Sequence, residues 1–186
     1  MDKNFPWSYK YDPKSKHPFI ISRSKIDLYL KCKRCAYLDM RLQIKGPKPF
    51  PYNLNSRIDT LLKNEFDVAR KNKEQTIYQK EANINAIPFS HAELDVWREP
   101  FKAARFHHKD TNIVIAGSVD DLWENLDTKK IHIVDYKSTH TDKFDKLKSF
   151  DAPYLIGYKR QAEIYSWILS KLGLEIDNTS YFFYVN

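Results

Sequence analysis

The apolar positions of this chain change period along its length, and the changes mark out its elements. Ser22 and Ser24 both suit a helix N-cap. The run Ile26, Leu28, Tyr29, Leu30, Cys32, Cys35, Tyr37 and Leu38 then predicts a first helix, with Asp27 in its first turn to suit the helix dipole. Three prolines between Gly46 and Pro51 break that pattern. Ile58, Leu61, Leu62, Phe66 and Ala69 recur at helical spacing and predict a second helix from about Asn55 to Lys73. Residues 76–100 carry no clean period, and Pro88 and Pro100 point there to loops or short edge strands.

Strands are predicted over residues 103–108, Ile113 to Trp123 and Lys130 to Lys137, the last two rich in β-branched residues and joined by a turn at Asn125 to Lys129. A polar, lysine-bearing loop follows, from Ser138 to Ala152. A third helix is predicted from about Pro153 to Leu172, with proline at its start and Gly173 at its end. Tyr181 to Val185 reads as a final strand, either paired internally or cut short by a truncated C-terminus. This order of elements predicts a mixed α/β domain over residues 22–186 behind an N-terminal arm, residues 1–21, rich at its start in Lys, Pro and Tyr.

Composition narrows the picture. A chain of 186 residues with 15% aromatics can bury a real core as one domain. It has no apolar run near the ~20 residues of a membrane span and no signal-peptide pattern. An intracellular, cytoplasmic setting without membrane association is the expectation, and two cysteines supply no disulfide framework. The net charge of +7 permits nucleic-acid binding, but serves solubility equally well.

Candidate chemistry lies in the predicted hairpin. With the turn centred between Asp127 and Thr128, an even loop pairs residues whose numbers sum to a constant, which sets Asp120 opposite Asp135. Opposed residues have Cβ atoms about 4.5–5.5 Å apart, and like charges there repel. A divalent cation converts that repulsion into binding, and Mg²⁺ favours such oxygen ligands. Alternation puts Lys137 on the face of Asp135 and Tyr136 on the other. Asp121, facing away from Asp120, reads as a supporting acid. On the second helix Asp59 shares a side with Leu62, Lys63 and Phe66, so it is either a third ligand or the partner of Lys63. On the third helix Tyr158, Gln161 and Tyr165 form a polar-aromatic stripe beside Ile164, Trp167, Ile168 and Leu172.

Taken in series, Gly117-x-x-Asp120, Asp135-x-Lys137 and Gln161-x3-Tyr165 resemble the RecB-like branch of the PD-(D/E)xK nucleases, over about residues 22–186. The resemblance implies a restriction-endonuclease-like core, a central mixed sheet flanked by helices. It implies a Mg²⁺ or Mn²⁺ site at Asp120 and Asp135 with the Tyr136 carbonyl. Asp59 stands where the family often has a histidine. Lys137 is then the residue that positions the attacking water, and Gln161 and Tyr165 orient DNA and support the catalytic groups. The activity implied is a DNA nuclease, exonuclease-like, in repair, recombination or defence, with single-stranded or end-bearing DNA as substrate and a protein such as a helicase as partner. A catalytically silent nucleic-acid-binding module of the same fold is the alternative.

Lys143, Lys146, Lys148, Lys159 and Arg160 are the expected phosphate contacts, with Phe144, Phe150 and Tyr154 available to stack on bases. The first helix, through Tyr29-x2-Cys32-x2-Cys35, looks like the opening helix of CRISPR-associated RecB-like exonucleases and AddB-type nucleases. There a cysteine joins three others near the C-terminus on a 4Fe–4S cluster. With no cysteine after Cys35, two thiolates fall short of four ligands. Cys32 and Cys35 are therefore expected to be core residues, with a cluster possible only if ligands lie beyond a truncated end.

Overall fold

A computed structural model describes residues 7–47, 53–138 and 155–185. The chain forms two compact units. One is Met1–Phe50 with Arg105–Gly117; the other is Pro51–Ala104 with Ser118–Asn186. The class is α/β, as expected, but among the described residues the strands make two sheets in place of one central sheet.

The first unit is built on a three-stranded sheet. Strand β1 (Phe19–Ser22) runs parallel to β4 (Ile113–Gly117), Phe19 opposite Ile113, and β4 is flanked on its other side by β3 (Ala104–His108). The segment before β1 is tied down: Ser8 N–H donates to the Pro18 carbonyl and Ile20 N–H to that of Ser8, at 2.8 and 2.9 Å. The predicted first helix is two. Ser22 is the N-cap of α1 (Arg23–Lys31), but its hydroxyl meets that of Ser24 and leaves the backbone uncapped. Asp27 lies past the first turn and pairs with Arg23 at 2.8 Å. At Cys32 the backbone turns extended and α2 (Lys33–Met40) begins. Cys32 and Cys35 form a disulfide and are both half-buried, so they are not core residues. This corrects the expectation of core thiols without a disulfide: the helix breaks at Cys32, which brings the two sulfurs together in place of setting them on one continuous apolar face.

The second unit carries the candidate site. Its sheet has the order β2-β5-β6-β7: β2 (Ala86–Pro88), β5 (Asp121–Asn125) and β6 (Ile131–Ser138) are antiparallel neighbours, and β7 (Tyr181–Val185) is parallel to β6. The predicted strand Ile113 to Trp123 is therefore broken at Ser118 to Asp120, and its halves serve different units. Pro88 ends an edge strand, where a missing N–H costs no ladder bond. In the stretch without a readable period, α4 (Ile77–Glu81) starts on a reciprocal capping box between Thr76 and Gln79, and α5 (Leu94–Arg98) on Glu93.

Two long helices cover this sheet. From α3 (Asn53–Asn72), Leu62 and Phe66 pack on Trp123, Val134 and Tyr136. From α6 (Leu155–Lys171), Gln161 reaches Asp135 and Tyr158 stacks on Phe182. Successive strand residues point to opposite faces, so the even-numbered residues of β6 meet α3 and the odd-numbered ones meet α6. Phe66 is fully buried, with ring centroids 5.3 Å from Trp123, 5.6 Å from Tyr136 and 5.7 Å from Phe183. Its removal leaves these three aromatic neighbours without their common contact. We expect Phe66→Ala to cost about 3–5 kcal/mol in chemical denaturation followed by tryptophan fluorescence, and Phe66→Leu about 1–2 kcal/mol.

Candidate active site

The hairpin register holds. Asp121 pairs with Val134, Leu122 with Ile133, Trp123 with His132 and Glu124 with Ile131. Asn125 Oδ1 accepts from the N–H groups of Asp127 and Thr128, both at 3.0 Å, which closes the turn. Pairing stops at Asp121, so Asp120 is the residue just ahead of the ladder. It folds back onto β6, and its Oδ2 accepts the Tyr136 N–H at 2.9 Å. That bond sets the carboxylate beside Asp135.

Asp135 is 3% exposed. Its Oδ1 accepts from Gln161 Nε2, and its Oδ2 lies against the Lys137 ammonium. Lys137 Nζ also sits 4.5 Å over the centre of the Tyr158 ring, so the lysine is held between a carboxylate and a π-face. Asp59 is paired with Lys63 at 2.9 Å, and Lys63 stands 3.7 Å from Asp120 Oδ1. Asp59, Asp120, Tyr136, Lys137 and Tyr158 line a polar cleft of about 360 Å³, and Asp135 is buried directly behind that wall.

The electrostatics are those of crowded acids. Burial and then the Asp135 charge push the Asp120 carboxyl up to about 7, against the opposing pull of Lys63. Asp121, in contrast, is fully buried and fully partnered. Its Oδ1 takes the guanidinium groups of Arg70 and Arg98 and the Leu122 N–H, and its Oδ2 accepts the Tyr136 hydroxyl at 2.8 Å. Burial and then the Asp121 charge raise the Tyr136 hydroxyl, which stays a donor. Asp67 pairs with the same two arginines.

Two carboxylates side by side, one kept protonated up to neutral pH by burial and by its neighbour's charge, are a donor set suited to a hard cation. Asp120 and Asp135 would hold it. Asp59 is turned to Lys63, and among the described residues no three His, Cys, Asp or Glu side chains converge on one point. Two carboxylates would be enough for Mg²⁺, which keeps several of its waters.

The remaining expected residues fall elsewhere. Gln161 and Tyr165, expected to orient DNA, are both buried, and the stripe they form with Ala162, Ile168 and Leu169 is the inner face of α6, not its flank. Gln161 therefore acts on Asp135, with the Tyr165 hydroxyl 3.4 Å from its amide. Lys159 is 71% exposed, reaches toward Glu163, and lines a separate groove with Trp167 and Phe182. Lys143, Lys146, Lys148, Phe144, Phe150 and Tyr154 lie outside the described residues.

Sequence reasoning missed Arg70, Arg98 and Asp67. A signal existed for Arg70: it follows Leu62 and Phe66 on the buried side of α3, where an arginine requires an acid partner. Comparison of the chain with protein-family models, with curated proteins and with solved structures finds no match.

The raised Asp120 carboxyl has a stability consequence with a fixed sign. Between its ordinary 3.8 and about 7 the folded chain keeps a proton that the unfolded chain has lost, so stability falls as pH rises across that window. Asp120→Asn removes the effect. In EDTA, melting curves at pH 4 should match those of the parent. At pH 8 the variant should be more stable by about 1–2 kcal/mol, a figure discounted for the partial exposure of Asp120. The same decline with pH in both proteins would show that Asp120 is not the titrating group.

Proposed function

We propose that this chain is a metal-dependent deoxyribonuclease with a restriction-endonuclease-like core, exonuclease-like in action. Its setting would be DNA repair, recombination or defence. The observation that supports this most is the juxtaposition of Asp120 and Asp135 across the start of the β5–β6 hairpin, with Lys137 in contact with Asp135 and open to the same cleft. Acid, acid and lysine brought together at the open end of one hairpin suit phosphodiester hydrolysis, which needs positive charge at the phosphate and a positioned water.

A Mg²⁺ or Mn²⁺ ion on Asp120 and Asp135 would supply Lewis acidity toward the phosphate and lower the pKa of a bound water. The chain's own groups do the rest. Gln161 fixes the orientation of Asp135 through its amide N–H. The Tyr136 N–H does the same for Asp120. Lys137, steadied by the Tyr158 ring, orients the attacking water and meets negative charge growing on the phosphate oxygens. The Arg70–Arg98–Asp121 cluster holds the first residue of β5, and so the backbone next to Asp120.

One observation favours the alternative, a nucleic-acid-binding module without turnover. Lys63 already neutralises Asp59 and leans on Asp120, so two lysines partly balance the acids without any divalent ion.

Cleavage of labelled single-stranded and duplex DNA decides between them. Activity should require Mg²⁺ or Mn²⁺ and vanish in EDTA. Asp135→Ala and Lys137→Ala should each lower the rate by about 100-fold or more. Because the cation and a proton compete for Asp120, the metal concentration giving half-maximal rate should fall as pH rises toward and past neutrality, and saturating metal should move the rise in rate to lower pH. Full activity in Asp135→Ala would remove the site assignment, and tight binding with no metal-dependent cleavage would select the silent module.

A further inference from the structure

The chain's positive charge is not shared between its two units. Met1–Phe50 with Arg105–Gly117 holds 14 Lys and Arg against 5 Asp and no Glu, a balance of +9. The other unit holds 17 against 19, a balance of −2, which together make the chain's +7. The candidate active site thus lies in the slightly acidic unit, and the electrostatic attraction for a polyanion lies in the other.

Within the basic unit the exposed cations without an ion pair among the described residues include Lys10, Lys14, Lys16, Lys45 and Lys109, but one group of three is concentrated at a single break between helices. Asp12, Asp27 and Asp39 are taken up by Arg41, Arg23 and Lys25. Lys31, Lys33 and Arg34 are exposed and make no ion pair among the described residues. All three sit at the elbow where α1 gives way to α2. Lys33 and Arg34 are the first two residues of α2 and lie inside the Cys32–Cys35 bridge, which ties down the helix start that carries them. Tyr37 is four residues beyond Lys33 and three beyond Arg34, so it shares their face of α2. It is 58% exposed, and Tyr29, at the end of α1, is 48% exposed. Large aromatic rings left in water beside unpaired cations are a poor arrangement for a free surface and a good one for unpaired bases on a phosphate backbone.

We infer that the α1–α2 elbow is a docking surface for single-stranded nucleic acid, with Lys31, Lys33 and Arg34 on phosphates and Tyr29 and Tyr37 stacked on bases. The inference extends the nuclease reading above by assigning where its strand is held. The disulfide lowers the cost of binding by presenting the two enclosed cations on a fixed helix start. Because the contacts are to phosphates and base faces, binding should be salt-sensitive and indifferent to sequence.

The test uses the full chain in EDTA and the fluorescence anisotropy of a labelled thymidine oligonucleotide of about 20 nucleotides, long enough to span several stacking positions. Lys31→Ala/Lys33→Ala/Arg34→Ala should weaken binding about tenfold or more and reduce the slope of log affinity against log salt by about 2. Tyr29→Ala/Tyr37→Ala should weaken it about fivefold or more with the salt slope unchanged. Lys71→Ala/Lys73→Ala/Lys80→Ala, three exposed cations of the other unit, is the control and should shift affinity less than about threefold. Circular dichroism confirms that each variant is folded. Equal losses in the elbow and control variants overturn the inference, as does failure of the parent to bind the oligonucleotide. Elbow-dependent capture by phosphatidylserine vesicles, without oligonucleotide binding, overturns it in favour of a membrane surface. Asp135→Ala, made to stop cleavage, should leave this binding intact, so loss of the nuclease reading and loss of the docking surface are told apart.

Discussion

The second unit depends on one buried carboxylate. Asp121 is fully enclosed and is held by two guanidinium groups, a tyrosine hydroxyl and its neighbour's backbone N–H. A lone charge at that depth would be prohibitive, and removing a single partner from such a set is strongly destabilising because it strands the others. The partners come from α3, α5 and β6, so the network is the point at which those three elements agree on a position for the first residue of β5. Tyr136 contributes twice. Its ring packs on Phe66 and its hydroxyl closes the network. The aromatic core and the charged cluster are therefore joined through a single side chain.

The candidate site is the solvent-facing consequence of that arrangement. Asp120 and Asp121 are adjacent in sequence but opposite in fate. One is given every partner it can use. The other is left half-satisfied beside a like charge, with its carboxyl pushed up to about 7. Stability is concentrated in the first and chemical potential in the second, the division expected where a rigid framework supports a reactive position. Gln161 extends the same logic to the far face of the sheet, where an amide from α6 fixes the deeper acid.

Much of this was legible in the sequence because it follows from period and turn chemistry. The turn at Asn125 set the β5–β6 register, and alternation then separated Tyr136 from Asp135 and Lys137. Helices α3 and α6 were visible as apolar faces bounded by breakers. What was not legible depended on contacts between distant segments. The break between Gly117 and Asp121 carries turn-favouring residues, Gly117, Ser118 and Asp120, but the apolar run on either side masks them, and the break falls where the chain passes from one unit to the other. Helix α5 is too short to show a period, and Arg98, its last residue, acquires meaning only when folded against Asp67 and Asp121. Asp59 kept two readings because spacing alone cannot tell a ligand from an i,i+4 ion pair, and the structure gives the pair.

The sheet of the first unit carries a consequence for how the molecule is assembled. Its parallel pair joins Phe19 to Ile113 and Ser22 to Ala116, so β1 has no strand partner until the first segment of the second unit, Pro51–Ala104, has been made. Closing so long a loop costs entropy before any ladder bond forms, and contacts of this separation slow folding. The N-terminal basic segment must therefore wait, with its edge unpaired, for a strand that reaches it only after α3 to α5 have been threaded between them. The first unit thus cannot close until Gly117 has been made, while the second is interrupted by it and closes only with its later segment, Ser118–Asn186; neither unit is a single continuous stretch that can fold as it emerges.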